Sequence, residues 1–115
     1  MESGLIDFKK IKEFLGEDKD TLISFFDLFK EQTKEDNILL EKSLIDKNRV
    51  DTASVAHKMK SFYGNIGSTD VYNILADMEK ISKEKPDFDK LNALYKNYID
   101  LYSIIIVEFG KYLSQ

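Results

Sequence analysis

Apolar residues recur three and four positions apart along nearly all of the 115 residues and almost nowhere alternate, so the pattern predicts helices and no strands. A short amphipathic segment from Asp7 to Leu15 carries Phe8, Ile11, Phe14 and Leu15 and stops at Gly16, as a lid helix would. After the acidic cap region Glu17 to Asp20, a shared face of Leu22, Phe25, Phe26, Phe29, Thr33, Leu40 and Leu44 predicts a long helix reaching about Ile45. Asp46 to Asn48 form the turn. Asn48 followed by Asp51 has the spacing of a capping box and opens a third helix, with Val55, Met59, Phe62 and Ile66 as its apolar stripe and Gly67 just past its end. Ser68 is placed to cap a fourth helix, whose Val71, Ile74, Leu75, Met78 and Ile81 keep helical spacing and which ends before Pro86. Asp87 caps the last, with Leu91, Leu94, Tyr95, Tyr98, Tyr102, Ile105, Phe109 and Tyr112 in one stripe.

Four medium or long helices joined by short turns alternate in direction, and their stripes then meet in an up-and-down antiparallel four-helix bundle. The expected fold is therefore all-α: such a bundle with a short additional N-terminal helix closing one end, and residues 1–115 forming one domain. The aromatic and methionine residues on these stripes read as core packing and not as a cofactor box.

Charge and composition narrow the function classes. Seventeen basic and 21 acidic residues, spread along the chain, give a net charge of −4 and no basic footprint for nucleic acid. Without cysteine there is no disulfide framework or thiolate metal site, which agrees with a reducing compartment and makes the cytoplasm the expected location. The stretch Met1 to Lys12 lacks the apolar core of a signal peptide, and the longest apolar run, Ile104 to Val107, is far too short to span a bilayer. A soluble monomer is expected, with no nucleic-acid or membrane partner.

The one histidine, His57, lies opposite the apolar stripe of its helix and is expected to face solvent. Its own face carries Ala53, Ser54, Ser61 and Gly64, nearly all small, with Lys60 at the edge. Gly64 costs about 1 kcal/mol relative to alanine inside a helix, a cost that makes sense where a partner must approach the backbone. Lys60, one turn after His57, can bring an ammonium to a group held on the imidazole. An imidazole in a clearing of small side chains is open to another macromolecule.

The run Ala56-His57-Lys58-Met59-Lys60, then Gly64-Asn65-Ile66-Gly67-Ser68 and Leu75, Met78 and Glu79, resembles the signature of histidine phosphotransfer domains, the phosphocarrier modules of two-component phosphorelays. The motif covers about a quarter of the chain, and the helical layout agrees over most of the rest. The chain departs from the family at Ser61, where glycine is common, and at Phe62-Tyr63, where small residues are frequent. The resemblance implies that His57 accepts a phosphoryl group from an aspartyl phosphate on a receiver domain and passes it to another receiver. Lys60 would stabilise phosphoryl charge, and Ala53, Ser54, Ser61 and Gly64 would lie on the docking face for receivers of response regulators or a hybrid histidine kinase. It implies no cofactor or metal of the chain's own, with Mg²⁺ belonging to the partner receiver. A second reading keeps the fold but makes it an interaction module that docks on a receiver or kinase without carrying phosphate.

The residues themselves set further limits. Gly64 to Gly67 lacks the Lys-Ser/Thr continuation of a P-loop and no other glycine-rich nucleotide motif is present, so no ATP site and no autonomous kinase activity are expected. Kinase dimerisation helices typically place an acidic residue directly after their histidine, where this chain has Lys58. A di-metal bundle would need Glu-x-x-His pairs, and residue 54 is serine.

Overall fold

The structure, a computed structural model, describes residues 5–114; the first four residues of the stretch weighed as a leader, and residue 115, lie outside them. The described residues form five helices and no strand: α1 (Phe8–Leu15), α2 (Lys19–Ile45), α3 (Arg49–Asn65), α4 (Thr69–Glu84) and α5 (Phe88–Leu113). No helix among them is long and apolar enough to cross a membrane.

Side chains start most of these helices. Asp7, Asp18, Asn48 and Asp87 each accept from the backbone N–H three residues on, satisfying a donor that has no partner inside the helix. Asn48 and Asp51 differ from a capping box in one respect: the Asp51 carboxylate accepts from the Asn48 side-chain amide at 2.9 Å, while the Asn48 backbone N–H is already engaged by the Ser43 carbonyl. Ser68 makes no side-chain cap bond. Its hydroxyl is buried and has no partner among the described residues, because the Ser68 backbone is drawn into the end of α3.

That end is a Schellman turn. Ser68 N–H bonds to the Tyr63 carbonyl and Gly67 N–H to the Gly64 carbonyl, with Gly67 at φ 70°. Glycine is required there twice over, since a Cβ would also stand 2.5 Å from Asp7 Cβ. The close approach lets Asp7 N–H donate to the Ile66 carbonyl at 2.8 Å, tying the start of α1 to the end of α3.

Side-chain contacts fix how the helices pair. Ser43 meets Thr52 and Asp36 meets Lys58, so α2 and α3 run antiparallel. His57 and Lys60 of α3 meet Glu79 of α4, and Lys60 also lies over Tyr72, so this pair is antiparallel too. Thr33 meets Tyr102 and Phe26 stacks on Phe109, which does the same for α2 and α5. Because α2 and α5 are each about ten residues longer than α3 and α4, they project beyond them at one end. There α1 covers the exposed aromatic ends, Phe8 stacking on Tyr112 at 4.0 Å and meeting Phe109 edge-on.

A polar seam crosses the centre of the largely apolar core. Tyr63 and Tyr98, both fully buried, share a hydroxyl bond, and Tyr98 donates onward to Asn37. Tyr63 is thus a central core residue that the stripe Val55, Met59, Phe62, Ile66 omitted. The buried face of α3 runs through Thr52, Ala56, Met59, Tyr63 and Ile66, rotated by about 50° toward α4 from the expected stripe. Val55 and Phe62 are only partly buried. Packing explains the rotation: α3 has its most extensive contact with α4, and Ala53 and Ala56 are small enough to let the helices approach.

Candidate functional site

The rotation places His57 near the seam between α3 and α4. Its side chain remains 69% exposed. Nδ1 lies 2.9 Å from Glu79 Oε2 on α4, a carboxylate whose side chain is only 10% exposed. Two lysines share the same carboxylate: Lys60 Nζ is 2.7 Å from Oε1 and Lys83 Nζ is 2.9 Å from Oε2. Glu79 is therefore the centre of the cluster.

Burial alone would raise the proton affinity of Glu79. Hydrogen bonds from Lys60, Lys83 and His57 outweigh it and hold the pKa at about 2. An ionised carboxylate only accepts hydrogen bonds, so the 2.9 Å contact requires the proton to be on His57 Nδ1. In the neutral form of the imidazole Nε2 then carries the free lone pair, on a ring that is mostly in solvent. Glu79 sets the tautomer, as a carboxylate does for a catalytic or metal-binding histidine.

The two lysines are held differently. The Lys60 side chain is 18% exposed, fixed between Glu79 and the face of Tyr72, whose ring centroid is 5.7 Å from Nζ. Glu79 raises the pKa of Lys60, chiefly through their hydrogen bond. Lys83, by contrast, is 63% exposed and reaches Glu79 through its ammonium. Sequence reasoning placed Lys60 beside His57 but gave it a solvated edge, and it did not single out Lys83. One signal for Lys83 was present: it follows Glu79 by four residues, the spacing of a helical ion pair.

The proposed docking residues separate. Ser54 and Ser61 are exposed on the His57 side of α3, and Gly64 is half-buried. Ala53 is 5% exposed and is corrected: it is a packing residue of the α3/α4 contact, not part of an open face. A Cβ on Gly64 would meet the Tyr72 ring at 3.7 Å, an ordinary contact. The fold tolerates alanine there, and Tyr72 joins the surface around His57 as a residue that sequence reasoning did not name.

Lys58, next to His57 in sequence, serves another part of the protein. It points about 100° away and pairs at 3.2 Å with Asp36, which is buried on α2 and also accepts from Gln32. No group of three or more metal-ligating side chains occurs among the described residues. Comparison with family models, curated proteins and solved structures returned no match to the chain.

Proposed function

We propose that the chain is a histidine phosphotransfer protein that relays a phosphoryl group between receiver-domain aspartates through His57. The observation that carries this reading is the bond from His57 Nδ1 to the ionised, buried Glu79, which in the neutral imidazole leaves the free lone pair on Nε2, in a ring mostly in solvent. The contacts around it supply what phosphoryl transfer needs. The transition state is loose, so positioning and charge neutralisation carry most of the catalysis; here the nucleophile is oriented by Glu79 and flanked by cations.

In the forward step the Nε2 lone pair attacks phosphorus, the P–O bond to the receiver aspartate breaks, and its electron pair returns to that carboxylate. The imidazole keeps its Nδ1 proton and becomes cationic, and Glu79 is positioned to stabilise that charge. Lys60 contributes a fixed positive charge beside the phosphoryl oxygens. Any Mg²⁺ belongs to the partner receiver in this reading. The four longer helices form an up-and-down bundle closed by α1, acting as a cytoplasmic monomer that presents half of an active site.

The test is incubation with a phosphorylated receiver domain. Wild type should gain an acid-labile label and His57→Gln none. Labelling of His57→Gln equal to wild type, or no labelling of wild type by phosphorylated receivers and by small phosphoryl donors alike, overturns the reading.

A further inference from the structure

One carboxylate shared by two ammonium groups leaves an excess of positive charge in the cluster beside His57. Lys60 and Lys83 both bond to Glu79, and the His57 ring is the third partner of the same group. Lys83 Nζ and His57 Nδ1 are each 2.9 Å from Oε2, so they lie within about 6 Å of each other. We propose that Lys83 is a mobile phosphoryl-binding cation, whose ammonium moves from Glu79 Oε2 to a phosphoryl oxygen when His57 is phosphorylated on Nε2. The proposal deepens the phosphotransfer reading above and rests on it.

Charge drives the exchange from both ends. In the form that reacts, with the imidazole neutral, Glu79 faces two cations and an uncharged ring. Afterwards the ring is cationic and still bonded to Glu79 through Nδ1–H, so the carboxylate has three cations to share, while a phosphoryl group with nearly two negative charges has appeared across the imidazole. Like-charge repulsion from the ring weakens the hold of Glu79 on a lysine, and the new anion attracts one. Lys83 is the lysine free to respond, because its side chain is largely in solvent. Lys60 is confined against Tyr72 and retains Glu79 Oε1. The two lysines thus divide the work: Lys60 keeps Glu79 in place, and Lys83 follows the phosphoryl group.

The experiment uses phosphoramidate, a small donor that needs no partner protein: Nε2 attacks phosphorus, the P–N bond breaks, and the leaving nitrogen departs as ammonia after taking a proton from water. Labelling of His57 is followed by intact mass. Lys83→Ala should slow it at least fivefold, Lys83→Arg should restore most of the rate, and Lys80→Ala, which removes an exposed lysine elsewhere on α4, should leave it unchanged. The Lys83 ¹⁵Nζ resonance should shift on phosphorylation, and the imidazole ¹⁵N shifts of unphosphorylated Lys83→Ala should match wild type, showing that the ring tautomer is intact. A wild type that is labelled while Lys83→Ala is labelled equally fast overturns the role of Lys83 alone. A wild type that takes no label from phosphoramidate or from phosphorylated receivers overturns the phosphotransfer reading with it.

Discussion

Replacing Glu79 by glutamine keeps the size of the side chain and one accepting oxygen but removes the charge on which three partners converge. In the folded protein the Glu79 pKa falls from about 4.5 to about 2. Each tenfold change in proton affinity is worth about 1.4 kcal/mol, which sets an upper bound near 3 kcal/mol. Lys83 and His57 are well exposed, so solvent screening reduces the contribution to about 1 to 2 kcal/mol. A folded pKa below the unfolded one means that this stabilisation is complete above pH 4.5 and disappears as the pH falls toward 2.

Urea unfolding of wild type and Glu79→Gln should therefore differ by about 1 to 2 kcal/mol at pH 7, and the gap should close between pH 4.5 and 2. The same variant has a second readout. Glutamine accepts or donates, so the proton is no longer confined to His57 Nδ1, and imidazole ¹⁵N shifts should move toward a mixture of tautomers. Phosphoryl transfer should slow with that loss of free Nε2. A stability gap that is the same at pH 3 and pH 7, or an unchanged Nδ1–H tautomer in Glu79→Gln, would refute the assignment of Glu79 as the ionised centre of the site.

Four other substitutions, at three positions, give separate outcomes. His57→Gln should abolish transfer and change unfolding stability by no more than about 0.5 kcal/mol, as expected for a side chain mostly in solvent, measured by labelling and urea titration. Lys60→Ala should slow transfer about ten- to a hundredfold and, because Lys60 is partly buried against Glu79, also cost about 1 kcal/mol of stability; equal transfer rates at low salt would contradict its role. Gly64→Ala should raise stability by about 0.5 to 1 kcal/mol, whereas Gly64→Leu should displace Tyr72 and weaken receiver binding, and unchanged binding by the leucine variant would remove Gly64 from the docking face.

Much of the fold was legible because local signals agreed. Gly16, Gly67 and Pro86 mark helix ends and Asp87 a helix start, and the five observed helices fall between these points. The face of α3 was harder to read. Thr52, Ala53 and Ala56 carry little hydropathy, yet they are buried, Thr52 against Ser43 of α2, so a stripe chosen from the larger apolar residues was rotated away from the true interface. The same error hid the nature of the site. Glu79 was visible only as part of a motif, since nothing in a one-dimensional pattern shows that a glutamate flanked by Met78 and Lys80 is buried against residues twenty positions earlier. His57 and Lys60 were recognisable from their spacing on one helix; Glu79 and Lys83 needed the second helix.

The two lysines flanking Met59 illustrate how the packing assigns chemistry. Lys58 and Lys60 are two residues apart and therefore project about 160° from each other, so α3 sends one toward α2 and the other toward α4. Each meets a buried carboxylate, Asp36 on one side and Glu79 on the other. The consequences differ because only Glu79 also meets the imidazole. Lys58 stabilises the α2/α3 contact, and Lys58→Ala should leave Asp36 with Gln32 as its remaining side-chain partner, destabilising the protein by about 1 to 3 kcal/mol without altering the charge that faces His57. Loss of stability with transfer intact distinguishes this structural pair from Lys60. The same transfer defect in both alanine variants, at matched stability, would show instead that net charge on α3, and not its direction, controls the reaction.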